Sequence, residues 1–370
     1  MPFDVRDFAG ALPGGRAAGS RSRALVAAWL FGICGMILVM IVLGGATRLT
    51  GSGLSIMEWE PLRGALPPLN HAEWEDVFRL YQQTPQYRLL HQGMDLDGFR
   101  QIFWLEWVHR QWGRLIGIAF FVPLLWFWIT GRIGRQLRVA LPIIFLLGGL
   151  QGAIGWFMVE SGLRPESIAV APLRLTIHLC MALILYAAVL WTGLGLLRPQ
   201  PEQYNGGGPV RAAAIVLCAL VAVTIVAGSL VAGTYAGFVY NTFPLMEGRL
   251  IPANYDRLSP FVRNLTQNLA AVQFDHRVLA TLTGVTAAIM LVLGLVCRIP
   301  RSARVSVFAA AALVAVQYAL GVATLLLVVP VPLGVAHQFT GVLVLSAAIV
   351  ALHTLRRDRQ LAYPRWRVPA

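Results

Sequence analysis

Hydrophobic residues in this chain run in unbroken blocks separated by short polar, proline- and glycine-rich breaks. Eight blocks fall at about 25–46, 107–129, 139–158, 173–197, 212–234, 269–297, 305–329 and 333–355. Each is apolar on every face and long enough to cross about 30 Å of hydrocarbon as a helix. The pattern therefore predicts an all-α polytopic membrane protein with eight transmembrane helices. One stretch has a different period. Between the first two spans, Trp74, Val77, Phe78 and Tyr81 recur at three- and four-residue spacing within 72–83. That is the pattern of an amphipathic surface helix. The segment 98–107 then runs into the second span.

Composition agrees with the pattern. The chain has 370 residues, 57% hydrophobic and 13% charged, with mean hydropathy +0.66. Its formal charge of +13 comes from 30 arginines and no lysine. Nucleic-acid binding is excluded as the reading, because the arginines sort by loop. Arg6, Arg16, Arg21 and Arg23 precede the first span. Arg132, Arg135 and Arg138 follow the second, Arg298, Arg301 and Arg304 follow the sixth, and Arg356, Arg357 and Arg359 follow the eighth. The positive-inside rule makes these segments, and both termini, cytoplasmic. Region 47–106 carries eight acids against five arginines and should face outward as a cap over the first spans. The first span is expected to be an uncleaved anchor.

The chain repeats itself. Gly44, Thr50 and Gly53 match Gly228, Thr234 and Gly237 at one offset; Gln151 and Gly155 match Gln317 and Gly321. Pro172-Leu173 matches Pro332-Leu333. Two pseudo-symmetric four-helix bundles are expected, at 25–197 and 212–355. A cytoplasmic linker (198–211) containing Gly206-Gly207-Gly208 joins them, with a cytoplasmic N-terminus (1–24) and tail (356–370) outside. The offset falls from 184 at the glycines to 167 at His109 and His276, so loop 47–106 is 17 residues longer than its counterpart.

The repeat carries chemistry. Glu106-Trp107-Val108-His109-Arg110 is followed by His178; Gln273-Phe274-Asp275-His276-Arg277 is followed by His337. All four histidines open spans that start on the outer side, so they share one depth. Intramembrane histidines in two matched pairs point to axial ligation of two haems. A core histidine bonded to a carbonyl remains the reading for any one alone. Gly113, Ala182, Ala280 and Gly341 lie four residues beyond the histidines, where a flat helix face could seat a macrocycle; small residues also serve plain helix packing. The copies differ at one place: Glu106 is ionisable where Gln273 is not. This suggests one reacting site and one electron-handling site. Since the second copy already holds an amide there, Glu106→Gln is expected to leave the fold intact. Arg110 and Arg277 could pair with haem propionates or reach the aqueous edge. His71 and His91 read as exposed loop histidines, and His353, at the inner end, receives no role.

Cys34, Cys180, Cys218 and Cys297 all lie in spans or at their inner ends, which argues against an outer-loop disulfide, and Cys180 reads as packing. There is no Cys-x-x-Cys-His for covalent haem attachment.

With these residues in view, the chain resembles the haem A synthases of the mitochondrial and alphaproteobacterial type. The likeness rests on GATRLTGSGLS (45–55), EWVHRQWGRLIG (106–117), QGAIGWFMV (151–159), VYNTFPLM (239–246), VQFDHR (272–277) and the His337 region. The resemblance implies oxidation of one peripheral methyl of haem O to a formyl group, a four-electron change. It implies that His109 and His178 hold the substrate haem iron, that His276 and His337 hold haem b, and that Glu106 is catalytic. It also implies a bacterial inner membrane location. The partners it brings are haem O, an electron donor or acceptor, haem O synthase and cytochrome oxidase assembly factors. Membrane lipid surrounds the spans, and a homo-oligomer is compatible with the class. The family branch with a cysteine pair in its outer loops is not matched. A dihaem b-type electron carrier oxidising quinol, or a transporter, stays open as an alternative.

Overall fold

The computed structural model describes residues 19–58, 63–202 and 207–356. Arg6, Arg16, Gly206, Arg357 and Arg359 lie outside the described residues. Within them the eight expected spans are helices. They are α1 (Ser20–Leu49), α4 (Leu96–Ile129), α5 (Arg135–Gly162), α6 (Pro172–Leu197), α7 (Gly208–Gly233), α9 (Leu269–Val296), α10 (Arg301–Leu326) and α11 (Val331–Thr354). Short helices α2 (His71–Gln82) and α3 (Pro85–Leu90) precede α4, and α8 (Asn264–Gln267) precedes α9. In no span does the buried share of the apolar window exceed 33%. Side chains such as Ile118, Leu146, Ile184 and Val305 are more than half exposed. So much outward apolar surface on every span is that of a membrane protein, whose solvent is lipid.

The helices pack as two rings. In the first, α1 contacts α4 and α6, while α5 bridges α4 and α6; in the second, α7 contacts α9 and α11, while α10 bridges α9 and α11. The rings meet where α11 lies on α1 and α6, and α7 on α6. Polar side chains tie the seam: Gln338 donates to the Ile41 carbonyl at 2.9 Å, Ser229 to Thr176 at 2.8 Å, and Tyr186 pairs with Ser346 at 2.7 Å. In a medium without water such bonds have few competitors. Helices α4, α6, α9 and α11 all begin at one end, here the histidine end. The arginine-bearing loops lie at the other.

The amphipathic segment forms as expected. Asn70 caps α2 by accepting from Glu73 N at 3.0 Å, and Glu73 reaches back to Leu69 N at 2.7 Å. Helix α4, by contrast, starts 11 residues before the predicted span. Asp95 caps it by accepting from Gly98 N at 2.8 Å. The early turns carry Phe99 and Phe103, which with Trp74 and Tyr81 build a small separate core. Trp74 meets Phe103 at 4.8 Å and Phe78 meets Phe99 at 5.0 Å between ring centroids. These aromatics hold the cap together on α4. Gln86 then pins it to the end of α1 by donating to the Gly51 carbonyl at 2.9 Å.

Candidate functional site

Each histidine enters its bundle against a glycine of the preceding spanning helix. A Cβ on Gly155, Gly228 or Gly321 would lie 2.9, 2.9 or 2.8 Å from Cε1 of His178, His276 or His337. One on Gly44 would lie 3.3 Å from Nε2 of His109. At Gly155, Gly228 and Gly321 a side chain would displace the imidazole, while at Gly44 the fit is tight but less strict. The four seats fall on α1, α5, α7 and α10, and each faces the next spanning helix. The residues four positions after the histidines do not play this part at both glycines. Met40 Cε stands 3.0 Å from the Cβ position of Gly113, and Gln317 Nε2 stands 3.2 Å from that of Gly341. Those faces are covered by side chains, which corrects the expectation that they stay open for a macrocycle. The seating glycines were visible in the sequence as repeat markers, at offsets of 184 (228 − 44) and 166 (321 − 155); which histidine each faces needed the helix packing.

The separation of the second pair is compatible with a shared metal. The ring centroids of His276 and His337 are 6.5 Å apart with planes at 89°. Two imidazoles bound to one metal through a nitrogen each place their centroids about 6–6.5 Å apart, given metal–nitrogen bonds of about 2.0–2.1 Å. His276 Nδ1 lies 3.1 Å from the Thr224 carbonyl, a bond that orients the ring and leaves Nε2 for a metal. His337 Nδ1 is buried with no hydrogen-bond partner, an unmet polar atom in the same wall. Glutamines brace the other members: Gln151 donates to the His178 carbonyl at 3.0 Å, and Gln317 to the His337 carbonyl at 3.0 Å. Among the described residues no three His, Cys, Asp or Glu side chains converge as a metal cage. The donor sets are histidine pairs, which suit the two axial positions of a haem.

Beside each pair sits an arginine fork, and the two forks reach equivalent backbone carbonyls. Arg110 donates to the carbonyls of Ile56 at 2.8 Å and Glu58 at 3.1 Å. Arg277 donates to Tyr240 at 2.6 Å and Thr242 at 2.8 Å, positions related by the same offset of 184 (240 − 56 and 242 − 58). The partner one turn earlier on the helix differs. Glu106, 2% exposed, takes Arg110 Nη2 at 2.6 Å and Nε at 3.1 Å on Oε1. Its Oε2 accepts from Ser55 N at 2.8 Å, Ser55 Oγ at 2.7 Å and Ile56 N at 3.0 Å. Gln273, also 2% exposed, accepts from Arg277 Nη2 at 2.7 Å. Its amide nitrogen donates to the carbonyls of Ala236 at 2.7 Å and Val239. The peptide joining Ser55 to Ile56 thus turns its N–H to the carboxylate. The equivalent peptide, joining Val239 to Tyr240, turns its carbonyl to the amide. Tyr240 accordingly adopts φ +52°, in the left-handed region, which Ile56 does not. Glutamate and glutamine therefore meet opposite backbone polarity in the two halves, a difference the sequence did not show. Among the described residues Arg277 has no carboxylate partner, and its Nε is buried without an acceptor.

A model of the cytochrome oxidase assembly protein family matches residues 27–349. The chain belongs to this family. Cytochrome oxidase assembly proteins similar to it include the heme A synthase of Granulibacter bethesdensis, 55% identical over 336 residues, or 91% of this chain and 88% of the relative. The heme A synthase of Rhodospirillum centenum is 49% identical over 90% of this chain and 88% of its own length. Heme A synthase 2 of Acidiphilium cryptum is 45% identical over 92% and 94%. The region shared with the family spans both arginine forks and all four histidine seats.

In the cap, His71 is exposed beside Glu75, as expected. His91 is not simply exposed: it is half-buried, with Nδ1 2.6 Å from the hydroxyl of the buried Tyr81. Burial lowers the His91 pKa from its ordinary 6.5 and raises that of Tyr81 above the usual phenol range. Sequence spacing alone gave no sign of this pair, because it forms across the α3 turn. The four cysteines are free and belong to the spans or their ends, as read.

Proposed function

We propose that the chain is a haem A synthase, oxidising a peripheral methyl of haem O to a formyl group for cytochrome oxidase. The observation that carries this reading is the pair of equivalent arginine forks, one holding a carboxylate and the other an amide. A protein that only relayed electrons between two haems would have no need to lock an anion beside one histidine pair. The N-terminal bundle, 25–197, is the substrate half: His109 and His178 hold the haem O iron, beneath loop 47–106. The C-terminal bundle, 212–355, is the haem b half, with His276 and His337 as ligands. Haem b supplies one-electron redox capacity when bound.

The residues divide the remaining work. Glu106 is the catalytic group, and its five hydrogen bonds favour a fixed anion over a mobile base. A negative charge held in place beside the ring stabilises positive charge developing at the reacting carbon without reorganising during the step. Arg110 spends its donors on holding Glu106 and the cap loop. Arg277 has no such anion, so a haem b propionate is its counter-charge. The positive-inside rule places the histidine end outside the bacterial inner membrane, with linker 198–211, residues 1–24 and tail 356–370 cytoplasmic. Pigment extraction from purified protein tests the reading. Haem O or haem A is expected beside haem b, with His276→Ala or His337→Ala depleting haem b, and His109→Ala or His178→Ala depleting haem O and A. Haem b as the only pigment, in a preparation supplied with haem O, would instead indicate an electron carrier.

A further inference from the structure

The end of the bundle remote from the histidines holds a polar basin that the reaction does not use. It is a cavity of about 340 Å³ between the end of α6 and the end of α11, lined by Arg198, Glu202, His353, Thr354 and Arg356 among others. His353 is 2% exposed, and neither ring nitrogen has a hydrogen-bond partner. Its ring rests edge-on against Trp191, centroids 4.9 Å apart. Buried polar atoms are rarely left unmet, and this imidazole, in a residue of the cavity wall, is one that has no partner. The sequence had given His353 no role.

The charge around it selects the ligand's sign. Arg356 is drawn over the basin by donating to the carbonyls of Arg198 at 2.6 Å and His353 at 2.9 Å. Arg198 itself is exposed at the rim. The one carboxylate of the lining, Glu202, is engaged by Ser302 Oγ at 2.8 Å. An adjoining groove of about 540 Å³ runs between α10 and α11, walled by Val305, Ala309 and Val350, with Arg301 and Ser302 at its polar end. Arg198 and Thr354 line both spaces. Helix α10 begins there without a side-chain cap, adding the positive end of its dipole. Val305 is 61% exposed, so the groove opens on the wall that faces hydrocarbon.

A basic basin continuous with an apolar, lipid-facing groove fits an amphiphile with an anionic head. We propose that this end of the protein binds one anionic phospholipid, its phosphate between Arg198 and Arg356 and an acyl chain along the α10–α11 groove. The lipid would bridge the two bundles, since α6 belongs to one and α10 and α11 to the other. A soluble phosphate would satisfy the basin but leave the groove without purpose.

The test uses the full-length protein, delipidated in neutral detergent and titrated with phosphatidylglycerol, with bound lipid counted by native mass spectrometry. Arg198 and Arg301 are exposed, so Arg198→Gln/Arg301→Gln should fold, which an unchanged haem spectrum and elution volume verify. Phosphatidylglycerol is expected to bind this variant about thirtyfold more weakly, the effect of two basic side chains at a membrane surface. Arg301→Gln alone should lose a smaller factor in the same direction. Phosphatidylcholine binding as tightly as phosphatidylglycerol would overturn the proposal, as would an unchanged affinity in the double variant. Displacement of the lipid by millimolar inorganic phosphate would assign the basin to a free anion and overturn the lipid reading.

Discussion

Glu106→Gln puts the opposite polarity of the two forks to a direct test. In the native site one carboxylate oxygen faces three donors from Ser55 and Ile56, and the other faces two from Arg110. A carboxamide has one acceptor. If its oxygen faces Ser55 and Ile56, its NH2 meets the Arg110 guanidinium; if it is flipped, its NH2 meets two backbone N–H groups. Either way donors oppose donors, and two charge-assisted bonds go, each worth about 1.5–3 kcal/mol. Removing one member of a buried ion pair costs about 3–5 kcal/mol, and the Arg110 side chain is 21% exposed, so water recovers part of that. A destabilisation of about 2–4 kcal/mol follows. Thermal unfolding in detergent, followed through both haem b absorbance and near-ultraviolet circular dichroism, should show a lower midpoint for Glu106→Gln. Haem b should be fully retained at low temperature, with haem A production lost. Ser55→Ala, which removes a single hydroxyl from the same oxygen, should lower the midpoint less. A Glu106→Gln protein that is as stable as wild type but inactive would refute the hydrogen-bond argument, and one that still makes haem A would refute the catalytic assignment too.

The glycine seats and the cap give further expectations. Gly228→Ala and Gly321→Ala drive a methyl to within 2.9 Å of an imidazole and should deplete haem b, at a cost of about 1–3 kcal/mol for overpacking. Gly44→Ala, where the gap is 3.3 Å, should be milder than Gly155→Ala in its loss of haem O and A from the pigment extract. His91 has a folded pKa below its ordinary 6.5, so the unfolded cap takes up the proton first as the pH falls. The stability His91 lends is therefore present above about pH 6.5 and lost as the pH drops through the folded value. Proteolysis within 71–95 should accelerate from pH 7.5 to pH 5.5 in wild type, and much less in His91→Asn; equal pH dependence in both would remove His91 as the cause.

Much of this was legible in the hydrophobic pattern. Full-length apolar blocks gave the spans because a bilayer demands that every backbone bond be closed within its own segment, leaving few alternatives. The histidine pairs and the contrast of Glu106 with Gln273 were legible because the chain carries its own control copy. The early start of α4 was legible only in part: 98–107 reads as running into the span, but the packing of Phe99 and Phe103 on Trp74 and Tyr81 is tertiary. The seats at Gly44, Gly155, Gly228 and Gly321 needed the register between neighbouring helices. The turned peptide at Tyr240 is invisible for a deeper reason: a peptide plane's direction leaves no mark on residue type when a tyrosine accepts a positive φ.

The pairing of each histidine with a glycine on the preceding spanning helix also bears on how the protein is made. Gly44 with His109, Gly155 with His178, Gly228 with His276, and Gly321 with His337 are each contained in one antiparallel helix hairpin. A hairpin is the unit in which helices enter a bilayer during synthesis, so each can arrive with its imidazole already docked and aimed. Two successive insertions then supply one proposed ligand pair. The histidines of the first bundle are then in place before the second half of the chain has left the ribosome, and neither bundle must open to assemble the other.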